Sequence, residues 1–164
     1  LEEHVSDIEC VVRTAGLNRF HLFSYSRGVS YALGYVRGRY SAQVISVIVQ
    51  DYPPEHKQMP DGWADTYLKN YLVPFSRQRN IRPEAIRGIQ KEAEHVNFDF
   101  RTNKKFLVLR GMQEGSLLDD AGVEAYRKLA SDVTVQEFRR SAHDIRNTEK
   151  DLLYRTVSAF ISSM

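Results

Sequence analysis

The sequence predicts an α/β fold in which helices cover both faces of a mostly parallel sheet, with a helical insertion between strands. Strand-like apolar runs alternate with helical patterns along the chain, and this alternation builds parallel sheets. Five of the six residues from Val44 to Val49 are valine or isoleucine, which is typical of a strand buried on both faces. The chain has 164 residues, of which 42% are hydrophobic, so it is long enough for one core and too short for two ordinary domains.

The first part of the chain predicts a helix, a strand, a second helix and a second strand. Apolar residues recur at helical spacing over residues 1–16, which predicts a helix that ends at Gly16. A short strand over 19–23 follows, and 26–40 form a second helix whose small residues allow close packing on a sheet. The strand over 44–49 ends before two prolines.

The second part of the chain predicts an insertion followed by two more strands. Residues 55–100 contain no convincing strand, and their aromatic and aliphatic residues recur at helical spacing between prolines, so we expect several short helices there. The run 106–109 predicts a third strand, 119–130 a helix and 133–138 a fourth strand. A closing amphipathic helix contains the apolar residues between positions 152 and 161.

The charge pattern does not indicate a nucleic-acid or membrane partner. Twenty-three basic and twenty-one acidic residues nearly cancel, and neither sign forms a long block in the sequence. No apolar run is long enough to cross a bilayer. The single cysteine, Cys10, lies among apolar residues at helical spacing, so we expect it in the core and infer a reducing, cytoplasmic setting.

The histidines outside the candidate site have structural interpretations. His21 lies within a predicted strand, where we expect a hydrogen bond inside the sheet. His4, His56 and His95 have no histidine or cysteine at metal-ligand spacing, so we predict no metal site, and no cofactor motif is present.

Ser26 lies at an abrupt change from an apolar strand pattern to a helical pattern. Small residues, Ser24 and Gly28, stand two positions before and after it, as expected for a strained strand-to-helix turn. Such a turn exposes the central hydroxyl and directs the start of a helix at it, so developing negative charge nearby meets backbone N–H groups. The arrangement is that of a nucleophile elbow; the alternative interpretation is an ordinary N-capping serine before an amphipathic helix.

Four reactive side chains follow predicted strands. These are Ser26, Asp51, Glu114 and His143. Because the carboxyl ends of parallel strands meet at one edge of a sheet, we expect these groups to converge there.

The chain resembles the α/β-hydrolase fold family over essentially its whole length. The motifs that carry the resemblance are the elbow at 24–28, the apolar strand and Gly-x-x-Glu at 108–114, the small-residue-His-Asp loop at 141–144, and the turn at 51–63 that resembles the entry to a helical cap. Ser24 replaces the usual glycine of the elbow, and Glu114 replaces the usual aspartate. The resemblance implies a core over residues 1–51 and 101–164 and a cap over 52–100.

The resemblance also implies the roles of the site residues. Ser26 would be the nucleophile, His143 the base and Glu114 the acid that orients it, with Asp51 as the alternative acid. The Arg27 backbone N–H would donate to the oxyanion. The candidates for substrate binding are Tyr25, Trp63 and Tyr67, with plain packing at helical spacing as the alternative for Trp63 and Tyr67.

Two functional hypotheses follow. The first is a serine hydrolase that acts on an ester, amide or related small-molecule carbonyl substrate; the alternative is a non-catalytic binding or interaction domain with the same fold. The family normally has further strands before the elbow, so the resemblance implies the C-terminal portion of such a hydrolase, which lacks the first strands and needs an N-terminal part for full activity. We therefore expect the strand before Ser26 to need a partner: an N-terminal fragment, a second chain or another copy of this chain.

Overall fold

The computed structural model describes all residues from 1 to 164. In chain order, its main helices and strands are α1 (Glu2–Thr14), β1 (Phe20–Tyr25), α2 (Gly28–Arg37), β2 (Val44–Gln50), β3 (Glu55–His56), α3 (Trp63–Tyr67), α4 (Pro83–Glu92), β4 (Val96–Asn97), β5 (Thr102–Gly111), α5 (Asp120–Leu129), β6 (Ala130–Phe138), α6 (Ile145–Thr148) and α7 (Lys150–Ser162). Short helical turns at Ser41–Gln43, Leu68–Leu72 and Arg77–Arg79 complete the set.

The main sheet has four strands in the spatial order β1-β2-β5-β6, and every neighbouring pair is parallel. Strand β2 lies in the interior of the sheet and six of its seven residues are buried, as its β-branched composition predicts. Strand β1 forms one edge and β6 the other. The predicted fold class, a mostly parallel sheet with helices on both faces, is confirmed.

Alternate residues of the strands pack into two separate cores. Phe106 and Val108 of β5 belong to the larger core, which also receives buried side chains from α1, α2 and α5. Leu107 and Leu109 face the other way and pack with Phe138 and with apolar side chains of α6 and α7. This period-two alternation places helices on both faces of the sheet. No helix is both long and apolar enough to span a membrane.

The chain divides into two units, one formed by Leu1–Pro54 with Phe98–Met164 and the other by Glu55–Asn97. Within the second unit, β3 and β4 pair in an antiparallel manner. The Gln90 side chain accepts a hydrogen bond of 2.6 Å from the Ala64 N–H, which connects α4 to α3. The expectation of no strand over 55–100 is therefore wrong for two short segments, because two-residue strands leave no periodic pattern in the sequence.

Cys10 is exposed, contrary to expectation. The side of α1 that packs against the core carries Val5, Ile8 and Val12. Cys10 is two residues from both Ile8 and Val12, and side chains two apart on a helix point away from each other. Its position in an apolar sequence run therefore did not indicate burial.

Candidate active site

Ser26 occupies the turn between β1 and α2 with a positive φ of 54°. The Ser26 N–H donates to the carbonyl of Gln50 at 3.2 Å, and the Ser26 carbonyl accepts from Val29 at 2.9 Å at the start of α2. A Cβ placed on Gly28 would meet no atom within 4 Å, so the fold does not itself require glycine there. The left-handed backbone of Ser26 is the feature that defines this turn.

Asp51 follows the last residue of β2 and also has a positive φ, of 48°. Its N–H donates to the carbonyl of Leu109 at 2.8 Å, which extends the contact between β2 and β5 by one residue. The Asp51 side chain is fully buried. Strands β1 and β2 are parallel neighbours, so Ser26 and Asp51 lie together at the carboxyl ends of the strands.

His143 lies in the loop between β6 and α6 and contacts both of these residues. Its Nδ1 is 2.9 Å from Asp51 Oδ2, and its Nε2 is 3.0 Å from Ser26 Oγ. An ionised carboxylate can only accept hydrogen bonds, so Nδ1 carries the proton and Nε2 of the neutral ring is free to accept from the Ser26 hydroxyl. The three side chains form one continuous chain of hydrogen bonds.

Three further donors hold the Asp51 carboxylate in place. Gly111 N–H donates to Oδ1 at 3.0 Å, Ser116 Oγ to the same oxygen at 2.6 Å, and Leu117 N–H to Oδ2 at 2.9 Å. Burial alone would raise the pKa of Asp51, but these hydrogen bonds and the one from His143 together outweigh it and hold the pKa below its ordinary value. The carboxylate is therefore ionised at neutral pH.

The preference for Glu114 as the orienting acid is corrected by this geometry. Glu114 lies in the exposed loop after β5, while the position beside His143 Nδ1 is occupied by Asp51. The loop that contains Glu114 instead supplies Ser116 and Leu117 as donors to Asp51. The loop of the Gly-x-x-Glu motif thus contacts Asp51 through Ser116 and Leu117, and Asp51 contacts His143.

A second buried carboxylate, that of Glu149, fixes the loop that carries His143. Glu149 accepts from the Ser141 hydroxyl at 2.7 Å and from the Arg140 N–H at 3.0 Å. Burial opposes ionisation of Glu149, but these hydrogen bonds and the nearby Arg140 charge outweigh it, so the pKa lies below its ordinary value. Sequence reasoning missed Glu149, as it missed Ser116, because neither belongs to a local motif.

Backbone contacts join the His143 loop to the end of β5. The Ser141 carbonyl accepts from Met112 N–H at 2.8 Å and from Gln113 N–H at 3.0 Å. The chain also passes so close to Gly111 that a Cβ there would lie 2.1 Å from the Ala142 carbonyl oxygen. The loops after β5 and β6 therefore form one rigid support for Asp51 and His143.

Tyr25 and Arg27 flank Ser26 on either side. The Tyr25 ring stacks on His143 with 4.8 Å between centroids, and the Arg146 guanidinium lies 5.4 Å from the centre of the Tyr25 ring. Arg27 directly precedes the first residue of α2, so its backbone N–H belongs to the helix N-terminus. Tyr25 is thus a neighbour of the His143 ring, and its expected contact with substrate stays a prediction.

Trp63 and Tyr67 lie in the second unit, where their ring centroids are 5.3 Å apart. This spacing fits ordinary aromatic packing on α3. Their role in substrate binding stays a prediction. No group of three or more histidine, cysteine, aspartate and glutamate side chains is arranged to hold a metal ion.

Comparison with known proteins shows similarity of structure but not of sequence. No protein-family model matches the chain, and no curated protein sequence matches it significantly. Among solved structures, a marine microorganism esterase matches with a TM-score of 0.74 and 14% identity, over 96% of this chain and 76% of that one. An esterase from Exiguobacterium antarcticum matches with a TM-score of 0.70 and 15% identity, over 96% and 72%. An α/β-hydrolase enzyme from a Medee basin deep-sea metagenome library matches with a TM-score of 0.71 and 13% identity, over 95% and 70%.

Proposed function

From the premise that this chain has the α/β-hydrolase fold, we propose that it is a serine hydrolase that cleaves an ester, amide or related carbonyl bond through an acyl-enzyme. The observation that carries the proposal is the hydrogen-bonded chain from Ser26 Oγ through His143 to Asp51. Two of the similar structures are esterases, which supports a carbonyl substrate.

The first half of the reaction forms the acyl-enzyme. Ser26 Oγ attacks the substrate carbonyl carbon while His143 Nε2 takes the hydroxyl proton, and the imidazolium that forms is stabilised by the Asp51 carboxylate at Nδ1. His143 then gives the proton from Nε2 to the leaving oxygen or nitrogen, and the bond from the acyl carbon to that atom breaks. Ser26 is left esterified and His143 neutral.

The second half repeats these proton transfers with water. His143 Nε2 removes a proton from water, whose oxygen attacks the acyl carbon, and then returns the proton to Ser26 Oγ as the acid product leaves. In both halves the carbonyl oxygen becomes negative in the tetrahedral intermediate. The Arg27 N–H at the start of α2 is the proposed donor to this oxyanion, a type of contact that contributes about 10²- to 10³-fold in rate.

A fluorophosphonate probe tests the nucleophile directly. We expect the probe to label the chain and Ser26→Ala to abolish labelling, because the probe bonds covalently only to an activated serine. Ser76→Ala is the matched control, since Ser76 is also a non-glycine residue with positive φ, of 50°. Intact-protein mass spectrometry should show one adduct in the unaltered chain and in Ser76→Ala, and none in Ser26→Ala.

Two outcomes would contradict the proposal. Labelling that persists in Ser26→Ala would place the reactive serine elsewhere. A folded but unreactive chain would instead support the alternative hypothesis of a non-catalytic binding domain.

A further inference from the structure

A cavity of about 740 Å³ lies at the amino ends of the strands, whereas Ser26 lies at their carboxyl ends. It is lined by the ends of α2 and α5 and by the first residues of β5 and β6. Strand β2 has seven residues, so the two ends of the sheet are about 20 Å apart. The cavity is therefore separate from the candidate active site.

The lining of this cavity contains five cationic side chains and no carboxylate. The cations are Arg37, Arg101, Lys104, Arg127 and Lys128. They come from three separate parts of the chain, so the sequence shows no basic block. Folding alone concentrates them.

Neighbouring groups neutralise only part of this charge. Arg37 pairs with Glu2 at 3.5 Å, and Arg127 pairs with Glu124. Helices α2 and α5 both end at the cavity, and each C-terminus contributes about half a negative charge. Two carboxylates and two helix ends offset roughly three of the five positive charges, which leaves an excess of about two.

The backbone at the start of β5 is irregular where it lines the cavity. Thr102 pairs with Ala130 and Lys105 with Asp132, so three steps along β5 match two steps along β6. Such a bulge turns side chains away from the regular pleat and is frequent near functional sites. Lys104, whose N–H donates to Thr102 Oγ1 at 3.2 Å, lies in this bulge and lines the cavity.

We propose that this cavity binds a small molecule that carries a phosphate or pyrophosphate group. An excess of about two positive charges matches a phosphate dianion, and arginine and lysine N–H groups form strong charge-assisted hydrogen bonds with phosphate oxygens. Ser41, Asn103 and Ser131 also line the cavity and add uncharged hydrogen-bonding groups. The volume falls within the range typical of small-molecule sites, about 300–1,000 Å³.

Isothermal titration calorimetry with inorganic pyrophosphate tests the proposal. We expect Lys104→Ala and Lys128→Ala each to weaken binding about tenfold, since each removes a charge-assisted hydrogen bond. The matched control is Lys91→Ala, because Lys91 and Lys128 are both exposed lysines in the last turn of a helix. Lys91→Ala should bind pyrophosphate like the unaltered chain.

Backbone amide shift mapping on the unaltered chain locates the site without any substitution. Pyrophosphate should shift the amides of residues 101–104 and 127–131. Absence of binding, shifts elsewhere only, or an equal loss of affinity in Lys91→Ala would each overturn the proposal. Association with vesicles of anionic phospholipid or with duplex DNA, without pyrophosphate binding, would also overturn it, because the basic surface would then serve a macromolecule.

Discussion

Ser26 and Asp51 both have a positive φ, a backbone conformation that residues other than glycine rarely adopt. Such a conformation costs about 1–3 kcal/mol per residue and persists only where the surrounding structure enforces it. At Asp51 three donors from the β5 end and the following loop supply that enforcement. These two residues are also the ones whose side chains hydrogen-bond to His143.

The first prediction concerns which carboxylate orients His143. We expect Asp51→Asn to lower kcat for ester hydrolysis by about 10⁴-fold, because an amide can present its NH₂ to Nδ1 and so stabilise the wrong imidazole tautomer. Glu114→Gln should leave kcat nearly unchanged, since Glu114 is exposed and does not contact His143. Steady-state kinetics on both variants checks the ranking, and the reverse ranking would return the role to Glu114.

The end of β5 and the loop after β6 pass very close to each other at Gly111. A Cβ at this position would overlap the Ala142 backbone, one residue before His143. Gly111 N–H also donates to Asp51, so a shift of the Gly111 backbone would disturb that hydrogen bond. The end of β5 therefore sets the position of the loop after β6.

We expect Gly111→Ala to lower the free energy of unfolding by about 1–3 kcal/mol and to reduce hydrolysis. Gly88→Ala is the matched control: Gly88 lies in α4, and a Cβ there would meet no atom within 4 Å. The control should be stabilised by up to about 1 kcal/mol through helix propensity. Urea unfolding measures the stability of both variants, and the hydrolysis assay measures their activity. Equal stability and activity in the two variants would show that the close contact between Gly111 and Ala142 is unimportant.

The elements also show what the sequence could and could not predict. The strand over 44–49 was predicted within one residue because its β-branched run has no competing interpretation. Strand β5 begins at Thr102 rather than 106, since its polar first residues give no strand pattern. Ser26 and His143 were proposed from local patterns, whereas the surroundings of Asp51 depend on donors 60 to 66 residues away, which no local pattern encodes.

At the scale of the whole molecule, β1 leaves one edge of the main sheet open. The outer backbone groups of this strand have no partner strand, and the Phe23 side chain is 47% exposed. Open apolar edges pair with other strands. We therefore propose that another strand, from a second copy or a separate segment, adds to β1.

Size-exclusion chromatography with light scattering tests this proposal on residues 1–164. We expect association that increases with protein concentration and decreases in Phe23→Lys, because a charge on an edge strand opposes pairing. Phe75→Lys is the control, since Phe75 is 62% exposed but lies outside any strand. A monomer at every concentration, or equal effects of the two substitutions, would argue against pairing of two copies through β1.

His143 stands 117 residues after Ser26 and 92 after Asp51. Closing loops of this length costs conformational entropy, which must be lost before the contact contributes any stability. In the unfolded chain Ser26 is an ordinary alcohol with no base beside it. Under the proposed function, Ser26 becomes a nucleophile only when folding has brought His143 and Asp51 beside it, so the unfolded chain cannot be acylated at this residue.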